Sequence, residues 1–367
     1  MNLFGGKIAP RALRAGTFAT AALALLAAPR RADAYVFLFA DPNGADIVAH
    51  PVGYSGTGAV LNVTVGINPA SPHAADMVTP TQNVISTWNA LVPTTGNIIG
   101  APSSGVPSNA IDFESTALHE MGHALGLDHP NLGARSGLTT AQTDFTNALK
   151  GTNNAYDLSA GPDGVIGSAD DVRGDDVNLN YFRKSNNNPF TIDSVVDKTT
   201  YSRNLADLPV GSIYSANASR DVARLLGVPN TEAVMQQGQP FGEAQRTLGH
   251  DDVAGIRYAM SGLDELAGTA DDYTFQLTYA GFTTQADIVL DFDSSQFQPG
   301  GLAFTLVNGD FVSPLDYPNH IAVTSADMYF DDAGLIWFFN PVPVPEPTAA
   351  GLLAAAGLLL LRRPRRA

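Results

Sequence analysis

Apolar residues recur with two different periods along this chain, and the change from one to the other marks its organisation. From Val60 to Ile67 the apolar positions Leu61, Val63, Val65 and Ile67 alternate with smaller or polar ones, the period of a half-buried strand. A helical stripe follows in Val84, Ile85, Trp88, Leu91 and Val92. Thr79-Pro80-Thr81-Gln82 before it has the form of a capping box with proline in the first turn, and Pro93 closes it. After a Gly/Pro/Ser-rich link, Asp112 has the character of an N-cap for a second helix, carrying Phe113, Ala117, Leu118, Met121, Ala124 and Leu125. Gly126 ends that helix, because glycine readily takes the left-handed conformation of a helix exit. Residues 130 to about 232 show mixed periodicity and read as an insertion, with short helical candidates near 139–149 and 219–226. A third helix begins near Asp251 and Asp252 and carries Val253, Ile256 and Met260 before Gly262. Beyond it the period returns to two: Tyr273, Phe275, Leu277 and Tyr279, then Ile288, Leu290 and Phe292, then Leu302, Phe304 and Leu306, with Trp337, Phe338 and Phe339 closing the region. This predicts a small all-β module over residues 263–341.

Both ends carry patterns that belong to export rather than to a fold. Lys7, Arg11 and Arg14 precede an apolar stretch from Ala15 to Ala28, and Ala32-Asp33-Ala34 has the small-x-small form of a signal-peptidase site. Residues 1–34 therefore read as a signal peptide cut after Ala34, the apolar run being shorter than the ~20 residues of a spanning helix. At the other end Val344-Pro345-Glu346-Pro347 leads into an apolar run from Thr348 to Leu361 and then Arg362, Arg363, Pro364, Arg365 and Arg366. Residues 344–367 resemble the PEP-CTERM sorting tail of Gram-negative bacteria, which implies a membrane-embedded processing enzyme (exosortase) as partner. A plain C-terminal anchor is the alternative. Either way the body is expected outside the cytoplasm, in the cell envelope or beyond it.

Composition narrows the partners. Residues 35–345 hold 11 Lys+Arg against 34 Asp+Glu, a net charge of −23, which repels nucleic acid and anionic lipid. Asp outnumbers Glu by 30 to 6, a skew toward turns and metal-ligating loops. With no cysteine in an exported chain, stability must come from packing and perhaps from bound metal.

The chemistry lies in His119-Glu120-Met121-Gly122-His123-Ala124-Leu125-Gly126-Leu127-Asp128-His129. Residues four apart on a helix lie one turn above each other, so His119 and His123 aim at one spot. A sharp turn at Gly126 can bring His129 to the same place. Three neutral imidazoles leave the fourth position of a tetrahedral zinc ion open to water, as in catalytic sites, and Glu120 stands where it can take that water's proton. The segment is similar to the metzincin signature His-Glu-x-x-His-x-x-Gly-x-x-His in full. That resemblance implies a zinc peptidase acting on protein or peptide substrates, and a methionine turn beneath the metal, for which Met235 in Ala233-Val234-Met235-Gln236-Gln237 is the candidate and Met260 the rival. Phe113-Glu114-Ser115-Thr116-Ala117-Leu118 and Leu248-Gly249-His250-Asp251-Asp252-Val253-Ala254-Gly255-Ile256 resemble matrixins, whereas Pro130 is more like serralysins. The long stretch between His129 and Met235, the want of a structural-zinc loop and the lack of a cysteine switch depart from matrixins. The remaining histidines, His50, His73, His250 and His320, have no ligand spacing and read as solvated or capping residues. Tyr258 reads as a packed helix residue, with oxyanion stabilisation as the alternative.

Gly161-Pro162-Asp163-Gly164-Val165-Ile166-Gly167-Ser168-Ala169-Asp170-Asp171 recurs 101 positions later as Gly262-Leu263-Asp264-Glu265-Leu266-Ala267-Gly268-Thr269-Ala270-Asp271-Asp272. Asp163, Asp170, Asp171, Asp264, Asp271 and Asp272 suit a calcium loop, and they equally suit two Asp/Gly turns that need no metal. The expectation is thus an α+β protein: a metzincin-like domain over 35–262, its twisted sheet and zinc-site helix interrupted by the insertion, followed by the β module. Its expected function is zinc-dependent peptide hydrolysis at the cell surface. The competing reading is a surface or matrix binding protein with an inactive metzincin scaffold.

Overall fold

A computed structural model describes residues 35–40, 46–130, 180–185, 188–202, 207, 218, 220, 223, 227–236, 238–297, 301–313 and 317–344. The expected signal peptide, the tail from 345 onward and much of the expected insertion, with the helical candidate at 139–149 and Asp163, Asp170 and Asp171, lie outside the described residues. Of the candidate at 219–226 only Arg220 and Ala223 are described, and both are helical. Among the described residues no helix is long and apolar enough to cross a membrane.

The chain begins with β1 (Tyr35–Phe37), β2 (Phe39–Ala40), β3 (Asp46–His50), β4 (Val60–Ile67), α1 (Ala74–Ala90), β5 (Ile111–Asp112), α2 (Phe113–Ala124) and β6 (Leu127–Asp128). It continues with β7 (Asn180–Arg183), β8 (Tyr201–Ser202), α3 (His250–Met260), β9 (Thr274–Phe282), β10 (Ile288–Phe292), β11 (Ala303–Ser313), β12 (Tyr317–Phe330) and β13 (Trp337–Phe338). The fold is mixed α and β, with a largely parallel sheet and few helices. That sheet has the order β2-β3-β12-β10-β4-β9, with β11 antiparallel along β12. A smaller sheet runs β6-β1-β7-β8.

Strand β4 forms where its alternation predicts, burying Leu61, Val63, Val65 and Ile67. Its neighbours correct the expected domain division. Strand β4 pairs in parallel with β9 on one side and β10 on the other, and β10 pairs in parallel with β12. Residues 263–341 therefore do not stand apart as a β module; they complete the sheet that β4 begins. A solitary β4 would leave both edges of backbone N–H and C=O without partners, a cost the later strands remove. The join is also apolar: Phe113, at the start of α2, lies 4.8 Å from Phe330 and 5.8 Å from Phe292, ring centre to ring centre. Strand β13 pairs with β5, and the Asn83 and Asn340 amides both donate to Glu114, tying residues 337–344 to α1 and α2.

Helix α1 starts earlier than its capping box suggests. It begins at Ala74, and Pro80 lies inside it. The first turn is held by Met77 N–H donating to His73 O, and Met77 and Pro80 are both buried, which offsets the helix bond that proline forgoes. Leu91, in a left-handed conformation, rather than Pro93, ends it. In α2 the expectation holds: Asp112 caps it by accepting from Ser115 N–H. The two helices are pinned where the Trp88 indole N–H donates to Leu118 O at 3.1 Å.

Two of the remaining histidines are not solvated. His50 and His320 are 0% and 2% exposed, with His50 Nε2 and His320 Nδ1 2.9 Å apart and the Tyr273 hydroxyl 3.2 Å from His50 Nδ1. They meet because β12 pairs beside β3, which brings together positions 270 apart in the chain. Burial, and then the charge of His320, hold the His50 pKa well below its usual 6.5. The folded chain thus refuses a proton that the unfolded chain accepts, so stability is lost as pH falls below about 6.5. The expected loss between pH 7.5 and 5.5 is about 1 kcal/mol from this residue, and His50→Gln removes it. Urea unfolding at the two pH values checks this; an identical pH slope in the variant would contradict it.

Candidate metal centre

Helix α2 carries the motif in near-complete burial. Its cap, Asp112, is itself 0% exposed and receives both Nε and Nη2 of Arg246, at 2.9 and 2.7 Å. A buried carboxylate at a helix N-terminus is stabilised by the helix dipole and by this two-pronged pairing, so the helix is firmly anchored at its start. Its exit is set by Gly126, with φ +102° and its N–H donating to His123 O. The following β6 pairs antiparallel with β1, which turns the chain back and delivers His129 to the helix.

The three imidazoles converge. His129 Nε2 lies 3.0 Å from His119 Nε2 and 3.2 Å from His123 Nε2. Among the described residues this is the group whose ligand atoms all lie within 4.8 Å of one another. The other ring nitrogens define the tautomers. His119 Nδ1 is 2.6 Å from Val234 O and His123 Nδ1 is 2.8 Å from Leu127 O. A carbonyl only accepts, so each Nδ1 carries the hydrogen and each Nε2 presents a lone pair inward. His129 Nε2, close to both, either carries a hydrogen and donates to one of these lone pairs or, as a bare lone pair itself, is repelled by both unless a cation stands among the three. Four-coordinate zinc with bonds of 2.0–2.1 Å sets its nitrogens roughly 3.3 Å apart, so the donor set and spacing fit such an ion. Burial, and then the neighbouring His123, lower the His119 pKa to about 3, which keeps it in the neutral form that metals bind.

Glu120 is 2% exposed, and its Oε2 accepts from the Thr305 hydroxyl at 2.6 Å. Burial raises its pKa, against the opposing pull of His123 and the Thr305 hydrogen bond. Thr116, His119, Glu120, Val234, Gln239, Leu302 and Ala303 line an open cleft. The acid therefore lies on this cleft beside His119.

Met235 is buried beneath α2. A Cβ on Gly122 would lie 2.2 Å from its sulfur, so the glycine between His119 and His123 is what lets the methionine approach. The turn is held from α3, where the Asp252 carboxylate accepts from Val234, Met235 and Gly249 N–H at 2.8, 3.0 and 2.7 Å. This differs from the expected start of α3: Gly249 is the N-cap, and Asp252 reaches back to it. One side chain thus fixes both the helix end and the carbonyl that orients His119. The rival Met260 lies at the far end of α3.

The other candidates fall elsewhere. Tyr258 is packed against Tyr35 and Tyr181, and its hydroxyl donates to Glu265, away from the cleft lining. In the described copy of the repeat, the Asp271 carboxylate accepts from Leu263 and Asp264 N–H, Asp264 from Leu266 N–H, and Asp272 from Gly268 N–H. The Thr269 hydroxyl lies 2.7–3.2 Å from all three acids. The loop's own donors thus reach all three acids.

Two contributors escaped the sequence reading. Thr305 sits in a strand whose apolar positions suggested that Leu302, Phe304 and Leu306 face the core, yet Ala303 is the buried neighbour and Phe304 meets Phe297 edge-on and Tyr329 at a tilt. Its signal was a hydroxyl between Phe304 and Leu306, on the opposite row. The anchoring role of Asp252 lay hidden in an ordinary acidic first turn.

Gly126 gives a local test of the turn. A Cβ there would lie 2.5 Å from the Ala49 Cβ, at a φ that L-residues rarely take. Gly126→Ala is expected to cost about 2–4 kcal/mol in chemical denaturation, from overpacking and backbone strain together. A loss under 0.5 kcal/mol would mean that the turn is looser than described. The chain matches no known family model, no curated protein and no solved structure.

Proposed function

We propose that this protein is a zinc-dependent endopeptidase of the metzincin type. The observation that carries the reading is the convergence of three Nε2 atoms, two with tautomers fixed by backbone carbonyls, beside a carboxylate that opens on the same cleft. His119, His123 and His129 would hold the metal. When bound, zinc supplies Lewis acidity that acidifies water and polarises a scissile carbonyl. Glu120 accepts the proton of the attacking water and returns it to the leaving amine, base and then acid in one cycle. Its burial suits both roles, because a carboxyl whose pKa is raised above the ordinary carboxylate value holds a transferred proton more readily. Met235 and Gly122 support the ligand helix from below, and Val234 holds the His119 ring. Leu302 and Ala303, where β11 begins, form part of the cleft wall along which an extended peptide would lie. The metzincin reading draws on the ligand spacing and on the methionine beneath the helix. The export signals at the two ends put the substrate outside the cytoplasm.

Cleavage of casein or gelatin by the purified protein, with and without chelator, tests this, with Glu120→Ala as control. Chelator-sensitive cleavage absent from the control supports the peptidase. Zinc-loaded protein that cleaves nothing would favour the inactive-scaffold alternative.

A further inference from the structure

A hydroxyl on the inward row of a strand needs a reason. Along β11 that row passes through Ala303, 1% exposed, and Val307, which packs against the core. Thr305 between them faces α2 and pairs across the ladder with Met328, 0% exposed. Thr305 itself is half-buried, and a hydroxyl that loses part of its water costs free energy unless it is hydrogen-bonded. Both acceptors within its reach belong to one residue: Glu120 Oε2 at 2.6 Å and Glu120 O at 3.0 Å. With a single hydrogen to donate, Thr305 brackets the backbone and the carboxylate of Glu120 together.

We propose that Thr305 is a positioning residue that fixes the Glu120 carboxylate for proton transfer; this rests on the hydrolase reading above. A glutamate side chain has three rotatable bonds, and ordering it costs up to ~2 kcal/mol. Threonine is stiff at its first side-chain bond, and β11 is paired along its length with β12, so the donor belongs to a rigid element. Engaging Oε2 leaves Oε1 as the oxygen for the reacting water. The same strand supplies Ala303 to the cleft wall, next to Leu302 just before it, so part of the wall and the aim of the acid are set by one element.

The test compares Thr305→Val, which keeps the shape and the strand preference, with Thr305→Ser, which keeps the donor. On a peptide substrate, T305V is expected to lower kcat by about 10- to 100-fold with KM changed less than threefold, as misplacement of a reacting group does. T305S is expected to stay within about threefold of wild type, and zinc content to be equal in all three. An unchanged kcat in T305V, or a T305S as impaired as T305V, would overturn the proposal. Infrared difference spectra of metal-free protein with carboxyl-labelled glutamate, using Glu120→Gln to identify the band, read the contact without activity. The Glu120 carboxylate stretch is expected to move in T305V and hold in T305S. Should wild type hydrolyse no peptide, the hydrolase reading fails while this spectrum still decides the contact, an unmoved band refuting it. If valine disturbs the strand, as judged by melting temperature, Thr305→Ala gives the same comparison.

Discussion

Glu120→Gln is expected to depress peptide hydrolysis by roughly 10²–10⁴-fold while leaving zinc content and melting temperature close to wild type. Glutamine has nearly the same shape, and its amide oxygen still accepts from the Thr305 hydroxyl that lies 2.6 Å from Oε2. What it lacks is the capacity to carry a proton between water and the leaving amine. At 1.36 kcal/mol per tenfold, such a loss corresponds to about 3–5 kcal/mol of transition-state stabilisation. Because the side chain is 2% exposed and adjacent to His119, bulk buffer has little access to substitute for it. The measurement is kcat/KM on a fluorogenic peptide alongside metal analysis. A variant within threefold of wild type would remove Glu120 from the chemistry.

His129→Ala is expected to abolish stoichiometric zinc retention. The remaining pair, His119 and His123, is well oriented by Val234 O and Leu127 O, but two nitrogens do not make a closed set for a tetrahedral ion. His129 is the cleanest of the three to remove, because it lies on the chain returning from β6 rather than within the buried helix. Its Nε2 is the atom that both other rings approach. A metal bound at a thousand times its dissociation constant stabilises the folded state by about 4 kcal/mol, so the variant should also lose the rise in melting temperature that added zinc gives wild type. Retention of one zinc per chain after dialysis would show that another residue supplies the third ligand.

What the sequence made legible was local. Strand β4, the cap at Asp112, the stripe of α2 and the exit at Gly126 each depend on neighbours within a few positions, and periodicity reads such neighbours directly. The convergence of the three histidines is legible for the same reason, with all three imidazoles inside eleven residues. Long-range pairing was not. Nothing in the alternation of β9 or β10 says that β4 lies between them, since strands of a separate module would alternate in the same way. Periodicity also left the phase of β11 ambiguous. Large residues at 302, 304 and 306 argued for one face, whereas the small Ala303 packs more tightly and Thr305 meets an acid 185 positions earlier. The His50–His320 pair and the reach of Asp252 to the Met235 turn are likewise contacts that only the closed sheet and the docked α3 create.

The placement of β4 between two later strands bears on the order of assembly. A ribosome or export channel releases all three imidazoles by position 129, yet the neighbours of β4 are not delivered until positions 274–292, nor the strand carrying Thr305 until 303. Such distant pairings form slowly, because a long stretch of chain must be gathered before any of them is rewarded. The cleft beside Glu120 is therefore expected to come together near the end of folding, so that a nascent or truncated chain holds the three histidines without the wall formed by Leu302 and Ala303.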